Sequence, residues 1–240
     1  MRYILIGAVL AFAVPAAANA TVTVFSGQDD GAAVGGTFTN SDAAAANFFA
    51  AALPYSPLLT TGFETLPVGY SASYSLPAAS VAITGTNYGA GYSGISNTTF
   101  GNLYGFDVGN GAGKWLGFPS GDATFTFAGS THAFGFYSTG VQSVFGTTFE
   151  VSFTDGSSQL LNVPVNANGG VNFFGLVDTK AFSKITISRP GNDAWGIDNV
   201  SYGFPAASPT PEPASWALML GGFGMLGTAM RRRKATPLAA

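Results

Sequence analysis

Through the middle of the chain, apolar and polar residues alternate with a period of two. Thr124-Phe125-Thr126-Phe127, Ala133-Phe134-Gly135-Phe136 and Thr148-Phe149-Glu150-Val151-Ser152-Phe153 follow this rule. So do Leu161-Asn162-Val163-Pro164-Val165, Lys184-Ile185-Thr186-Ile187-Ser188 and Trp195-Gly196-Ile197-Asp198-Asn199-Val200-Ser201-Tyr202. Successive side chains of a strand point to opposite faces, so each segment predicts a strand with one buried face. Asp155-Gly156-Ser157, Asn168-Gly169-Gly170 and Pro190-Gly191-Asn192-Asp193 read as the turns between them. The pattern predicts a mainly β fold, an antiparallel β-sandwich of jelly-roll-like order. One segment reads as a helix, near 42–53. Ser41 is its N-cap, Asp42 sits at the positive end of its dipole and Pro54 ends it. Ahead of it, Gly27-Gln28-Asp29-Asp30-Gly31 and Gly35-Gly36 read as turn chemistry.

The two ends follow a different rule. Arg2 precedes an apolar run from Tyr3 to Val14, Pro15 breaks it, and Ala18-Asn19-Ala20 is a small-x-small cleavage sequence. Residues 1–20 therefore read as a secretory signal peptide, to be removed by signal peptidase after Ala20. At the other end, residues 208–213 (Ser-Pro-Thr-Pro-Glu-Pro) form a stiff Pro-rich linker. The seventeen residues from Ala214 to Met230 carry no charge, and Arg231, Arg232, Arg233 and Lys234 follow at once. At 1.5 Å per residue that run spans about 25 Å, near the lower limit for crossing a hydrocarbon core. The basic cluster is the membrane stop and stays cytoplasmic, which leaves the body on the same side the signal peptide demands. Residues 214–234 thus read as a transmembrane helix with a basic end.

In order, Pro211-Glu212-Pro213, Trp216-Ala217-Leu218-Met219-Leu220, Gly222-Phe223-Gly224 and the basic cluster resemble a PEP-CTERM sorting tail, also called the ice-binding protein C-terminal motif. The resemblance implies that Pro211, Glu212 and Pro213 form the recognition site of a membrane protease-transpeptidase, the exosortase, which removes the helix. They would then be substrate features and not catalysts. It also implies export by a Gram-negative bacterium and a link to exopolysaccharide and biofilm. The six residues Ala235 to Ala240 extend past the basic cluster, slightly more than such tails usually carry.

Between the two ends, residues 21–207 hold four bases (Lys114, Lys180, Lys184, Arg189) and eleven acids. An acidic body speaks against a nucleic-acid partner. The chain has no Cys, which excludes a disulfide framework, a thiolate zinc site and a Cys nucleophile. Its single His, His132, reads as lying in a turn and has no Gly-x-Ser-x-Gly elbow beside it. Gly109-Asn110-Gly111-Ala112-Gly113-Lys114 lacks the spacing of a phosphate loop. No catalytic residue or firm cofactor emerges, and the expectation is a protein that is not an enzyme.

Two acids interrupt apolar runs: Glu64 in Gly62-Phe63-Glu64-Thr65-Leu66 and Asp198 in Ile197-Asp198-Asn199-Val200. Their settings resemble those of calcium-bearing jelly-roll carbohydrate-binding modules, which implies a structural Ca²⁺ held partly by Glu64 and Asp198. The alternative is that both carboxylates accept loop N–H groups. Residues 85–113 hold nine Gly among Tyr88, Tyr92, Phe100, Tyr104 and Phe106, and read either as a ligand-facing loop or as irregular turns capping the sandwich. Trp115 and Trp195 are candidate glycan-stacking platforms, or else core. The leading functional expectation is a non-catalytic exported surface or matrix protein that adheres to polysaccharide. A secreted polysaccharide hydrolase is the alternative, and it asks for two facing carboxylates in a cleft. Ice binding would need a flat Thr-rich face, for which Thr124, Thr126, Thr147 and Thr148 are too few.

Overall fold

In the computed structural model of the 240-residue chain, the described residues are 22–55, 57–84, 93–109, 111–119, 121–143, 148–153, 156–162, 165–189, 194–203 and 223. The side chains of 148–153, 162 and 189 are not among them. Residues 1–204 make one compact unit and 205–240 a second, of which only Phe223, a helical residue, is described. The expected signal helix and the expected membrane helix at 214–234 otherwise lie outside the described residues. Among the described residues no helix is long and apolar enough to cross a membrane.

The first unit is mainly antiparallel β with one helix near its start. In chain order its elements are β1 (Val22–Asp30), α1 (Thr39–Ala51), a 3-10 turn (Leu53–Tyr55), β2 (Leu58–Thr61), β3 (Ser73–Leu76) and β4 (Ala79–Thr84). They continue with β5 (Gly94–Ser96), β6 (Trp115–Phe118), β7 (Gly121–Thr139), β8 (Thr148–Phe153), β9 (Ser158–Asn162), β10 (Gly170–Arg189) and β11 (Trp195–Gly203). The two Phe-rich segments at 124–127 and 133–136 belong to one long strand, β7. The segment Gly27 to Asp30, read as a turn, is instead the end of β1, and the chain turns only at Gly31 (φ 67°).

Strands β7 and β10 pair along most of their length and carry the architecture. The early half of β7 also pairs with β4, and the late half of β10 with β8. The late half of β7 also pairs with β11, and the early half of β10 with β1. One face of both halves encloses a common core that includes Phe125, Val81 and Ile185 from one half and Phe134, Phe174 and Ile197 from the other. A strict period of two cannot do this over a bend. Core residues of β7 fall on odd numbers at Ala123, Phe125 and Phe127 and on even numbers at Phe134 and Phe136. An odd number of residues taken up in the corner flips the parity, which is the work of a β-bulge. The same flip occurs in β10, between Leu176 and Ile185, where the pairing register shifts around Phe182. It recurs in β11 between Ile197 and Val200, where the register shifts between Asp198 and Ser201.

Helix α1 lies on the opposite face of the β7–β10–β1 part of the sheet. Phe48 is fully buried there against Ala133 and Phe173. Gly135 and Gly175, directly paired across β7 and β10, leave the space its ring occupies. A Cβ on Gly175 would stand 2.7 Å from the Phe48 ring and one on Gly135 3.0 Å. The helix begins at Thr39 and is not capped by Ser41. Its N-cap position, Phe38, makes no side-chain cap. The first-turn N–H groups of Asn40 and Ser41 go instead to the Asp29 carboxylate, at 3.1 and 2.8 Å. Ser41 is buried, and its hydroxyl is 3.3 Å from the carbonyls of Gly27 and Val171.

Candidate functional site

The bulge in β11 also builds the one cluster of carboxylates that sequence reasoning partly anticipated. Ile197 and Val200 both face the core, so two consecutive polar residues, Asp198 and Asn199, fit between them. Asn199 adopts a left-handed conformation (φ 47°), which Asn tolerates better than most residues. Phe63, also left-handed (φ 65°), is fully buried and anchors a turn closed by Leu66 N–H to Phe63 O at 3.0 Å. That turn presents Glu64. A bulky residue in this conformation is strained and persists because the surrounding core holds it.

Glu64, Asp107, Asn199, Thr60, Gly62 and Gly113 line a pocket of about 530 Å³. Asp198 stands beside it, fully buried. Its Oδ1 lies 3.6 Å from where a Cβ on Gly62 would be, the Asn199 Oδ1 3.1 Å and the Glu64 Oε1 3.9 Å. From across the pocket, a Cβ on Gly113 would meet Glu64 Oε1 at 2.5 Å and Asp107 Oδ1 at 2.6 Å. Only glycine fits at position 113 without displacing a carboxylate. The oxygens of Glu64, Asp107, Asp198 and Asn199 therefore converge.

The loop N–H groups hold these carboxylates in place. Asp107 Oδ2 accepts from Gly111 (2.9 Å) and Gly113 (3.2 Å). Asp198 accepts from Val108 (3.0 Å) and Asn199 (2.7 Å). Glu64 Oε1 accepts from Lys114 N–H at 2.8 Å, while the Lys114 ammonium is tied to the carbonyls of Glu64 and Leu66 at 2.8 and 2.7 Å. Burial pushes the Asp198 carboxyl up to about 8; its two N–H bonds oppose this, and the neighbouring Asp107 carboxyl adds to it. The two Asp side chains are hydrogen-bonded to each other, and that contact, like burial, favours the protonated form of Asp198. Among the described residues no group of three or more His, Cys, Asp or Glu is placed to hold a metal ion.

Glu64 and Asp198 are thus brought together, and both accept loop N–H groups. Asp107 and Asn199 escaped the sequence reading. The signal was present for Asp107, which is followed by Gly109, Gly111 and Gly113 at the spacing of a loop wrapping one carboxylate. Trp115 and Trp195 are each 1% exposed and belong to the interior, so neither offers a ring face to a glycan. Phe106 is fully buried as well, whereas Tyr104 and Tyr70 are each 48% exposed. Tyr88 and Tyr92 lie outside the described residues, as do Pro211, Glu212, Pro213 and the basic cluster at 231–234. His132 is not in a turn. It lies within β7, stacked on Tyr55 (centroids 4.6 Å apart, planes 6° apart), with Nδ1 2.9 Å from the Asp178 carbonyl.

Compared with curated proteins, the chain finds no match. Residues 209–234 match the family model of the PEP-CTERM protein-sorting motif, so the chain carries the sorting tail of an exported, membrane-anchored exosortase substrate.

Proposed function

We propose that this is a non-catalytic protein of the cell surface or extracellular matrix, delivered by its sorting tail and associated with exopolysaccharide or biofilm. The observation that carries the reading is the sorting motif at residues 209–234. Signal peptidase removes residues 1–20, and helix 214–234 holds the chain in the inner membrane with Arg231, Arg232, Arg233 and Lys234 on the cytoplasmic side. The acidic body stands in the periplasm, and exosortase then acts at Pro211-Glu212-Pro213 and releases it. The folded-over sheet is read as a jelly-roll-like sandwich of the kind that carries carbohydrate-binding modules, a likeness of architecture only. With both tryptophans buried, stacking on sugar falls to Tyr70 and Tyr104.

Structural calcium is part of the proposal, with Glu64, Asp107 and Asn199 as its side-chain oxygens and Asp198 behind them. Calcium takes six to eight oxygens, so these residues would close in and backbone carbonyls or water would complete the shell. The test of the main reading is to express the full chain, with and without Pro211-Glu212-Pro213, in a host carrying the exosortase. A released body lighter by the tail only when the motif is present supports it, and an unchanged mass overturns it.

The hydrolase alternative draws on one observation, the Glu64–Asp107 pair at a pocket beside a carboxyl raised to about 8. It predicts release of reducing sugar from matrix polysaccharide that Glu64→Gln abolishes. Polysaccharide binding without release favours the non-catalytic reading.

A further inference from the structure

Apart from the carboxylate pocket, a second pocket of about 270 Å³ lies between Val68-Gly69 and the stretch from Ser93 to Phe100 that contains β5. The backbone fixes its frame. Gly69 and Ile95 exchange N–H···O bonds at 2.8 and 3.0 Å, and the hydroxyl of the buried Tyr74 donates to the Gly69 carbonyl at 2.6 Å. Strand β5 is held in turn by β6. On the far side Ser96 Oγ accepts the Thr98 N–H at 3.1 Å, and the Thr98 carbonyl accepts from Trp115 Nε1 at 3.0 Å. Phe100 stands edge-on to the Trp115 ring. The walls are set before any ligand arrives, which spares binding the entropy of ordering them.

Every described residue that lines this pocket is uncharged. Ser93, Ser96, Asn97 and Thr98 supply groups that both donate and accept hydrogen bonds, and Val68 and Phe100 supply apolar surface. Ser93 is 6% exposed and Asn97 is exposed. Neither the Ser93 hydroxyl nor the Asn97 carboxamide makes a hydrogen bond among the described residues. A buried hydroxyl without a partner costs free energy that a ligand can recover. Tyr70 follows directly on the Gly69 wall: it is 48% exposed, and its Cα is 2.7 Å from where a Cβ on Gly94 would stand. A sugar ring matches this mixture, because its hydroxyls donate and accept while its C–H faces pack on aromatic and aliphatic side chains. The volume lies just under the usual range of small-molecule pockets, roughly 300–1,000 Å³, and suits one ring better than several. An anionic sugar does not match. Its charge would meet no counter-charge in these walls, on a body with four bases against eleven acids. Lys114 reaches the neighbouring segment, but its ammonium is tied to the carbonyls of Glu64 and Leu66. We propose that this pocket is the subsite for one uncharged sugar residue of a polysaccharide, with Ser93 and Asn97 bonding its hydroxyls and Tyr70 flanking it. The inference rests on the polysaccharide reading above and narrows it to neutral polymers.

Affinity electrophoresis of the full chain in detergent tests the subsite, with dextran, galactan and xylan as neutral polymers and alginate and polygalacturonate as acidic ones. At least one neutral polymer is expected to retard the chain more than either acidic one. Ser93→Ala and Asn97→Ala each remove a polar group that has no partner among the described residues. Each should weaken that binding about tenfold, the worth of one good hydrogen bond to a ligand. The melting temperature of both variants should stay at the wild-type value, which a hydroxyl or carboxamide kept for the fold would not allow. A fall in melting temperature in both variants assigns the two groups to the fold and overturns their role. Retardation by an acidic polymer equal to or above that by every neutral one overturns the subsite, as does neutral binding that both variants leave intact. In those two cases association with polysaccharide survives, and only its placement here fails. No retardation by any of the five polymers overturns the subsite and counts against that association as well.

Discussion

Asp29, on strand β1, accepts the backbone N–H of Ser41 at 2.8 Å and so caps a helix that its own flanking residues leave uncapped. Burial raises the Asp29 carboxyl, but the bonds from Ser41 and Asn40 outweigh it and hold the group below its usual value. A lowered folded-state value means stability present above the unfolded pKa and lost as pH falls through the folded one. Asp29→Ala should therefore cost about 1 kcal/mol at neutral pH, as other cap deletions do. The gap to wild type should narrow as pH falls below the ordinary carboxylate range, where first the unfolded and then the folded carboxyl is protonated. Urea melts at pH 7 and pH 2.5 measure both values, and a gap of equal size at both would show that the ionised carboxylate is not the cap.

The seat of Phe48 makes a second prediction. Phe48→Ala removes a fully buried ring and should cost about 3–5 kcal/mol. Gly175→Ala places a methyl group 2.7 Å from the ring and should cost about 1–3 kcal/mol by overpacking. In the Phe48→Ala background the two closest contacts of the added methyl group are gone and the Phe173 ring, at 3.0 Å, is left, so the Gly175→Ala cost should shrink. A double-mutant cycle by chemical denaturation reads the coupling, and strictly additive costs would mean that the two sites do not share this space.

Much of this fold could be read from alternation, and the parts that escaped did so for identifiable reasons. The Phe pairs of β7 are plain in sequence, but their joining into one bent strand is not, because Gly129-Ser130 looks like a turn and here serves as a corner. Strand β1 was hidden by Gln28-Asp29-Asp30, polar residues on an edge strand where one carboxylate caps a helix and the other holds Asn168 at 2.8 Å. In sequence, Ile197-Asp198-Asn199-Val200 reads as part of a regular alternation, yet two polar residues between two core residues break a period of two, and the register shifts there. The meeting of Glu64 with Asp198 was guessed from their odd settings. Asp107 joins them only through the packing of its Gly-rich loop on β11, a tertiary contact that no local pattern encodes.

Trp115 separates a core role from a binding role. Its ring is 1% exposed, its Nε1 donates to the Thr98 carbonyl at 3.0 Å, and a Cβ on Gly105 would stand 2.7 Å from the ring. Trp115→Ala should cost about 3–5 kcal/mol, and at temperatures where the variant stays folded its polysaccharide binding should match wild type. Tyr70→Ala and Tyr104→Ala should do the reverse, changing stability by less than about 0.5 kcal/mol as exposed positions do and weakening binding. Melting curves and a pull-down on matrix polysaccharide give the two columns, and lost binding in folded Trp115→Ala would return the ring to the platform role.

The Asp198 carboxyl links stability, pH and calcium. Its folded-state value of about 8 lies far above the unfolded value of about 3.9, so the native chain keeps a proton that the unfolded chain gives up. For a raised value the stabilising contribution is full below the unfolded pKa and is lost as pH rises through the folded one. In chelator, the melting temperature should therefore decline from about pH 4 to pH 8 and then level off for this group. Calcium bound by Glu64, Asp107 and Asn199 replaces the proton as the positive charge facing Asp198, so its binding should release a proton and strengthen as pH rises. The rise in melting temperature on adding calcium should then be larger at pH 8 than at pH 5, and Asp107→Asn should abolish it. Scanning calorimetry at both pH values, with and without chelator, separates the two ideas. A decline with pH that calcium leaves untouched keeps the proton and removes the metal, because the buried carboxyl pair would then be a proton-sharing contact and nothing more.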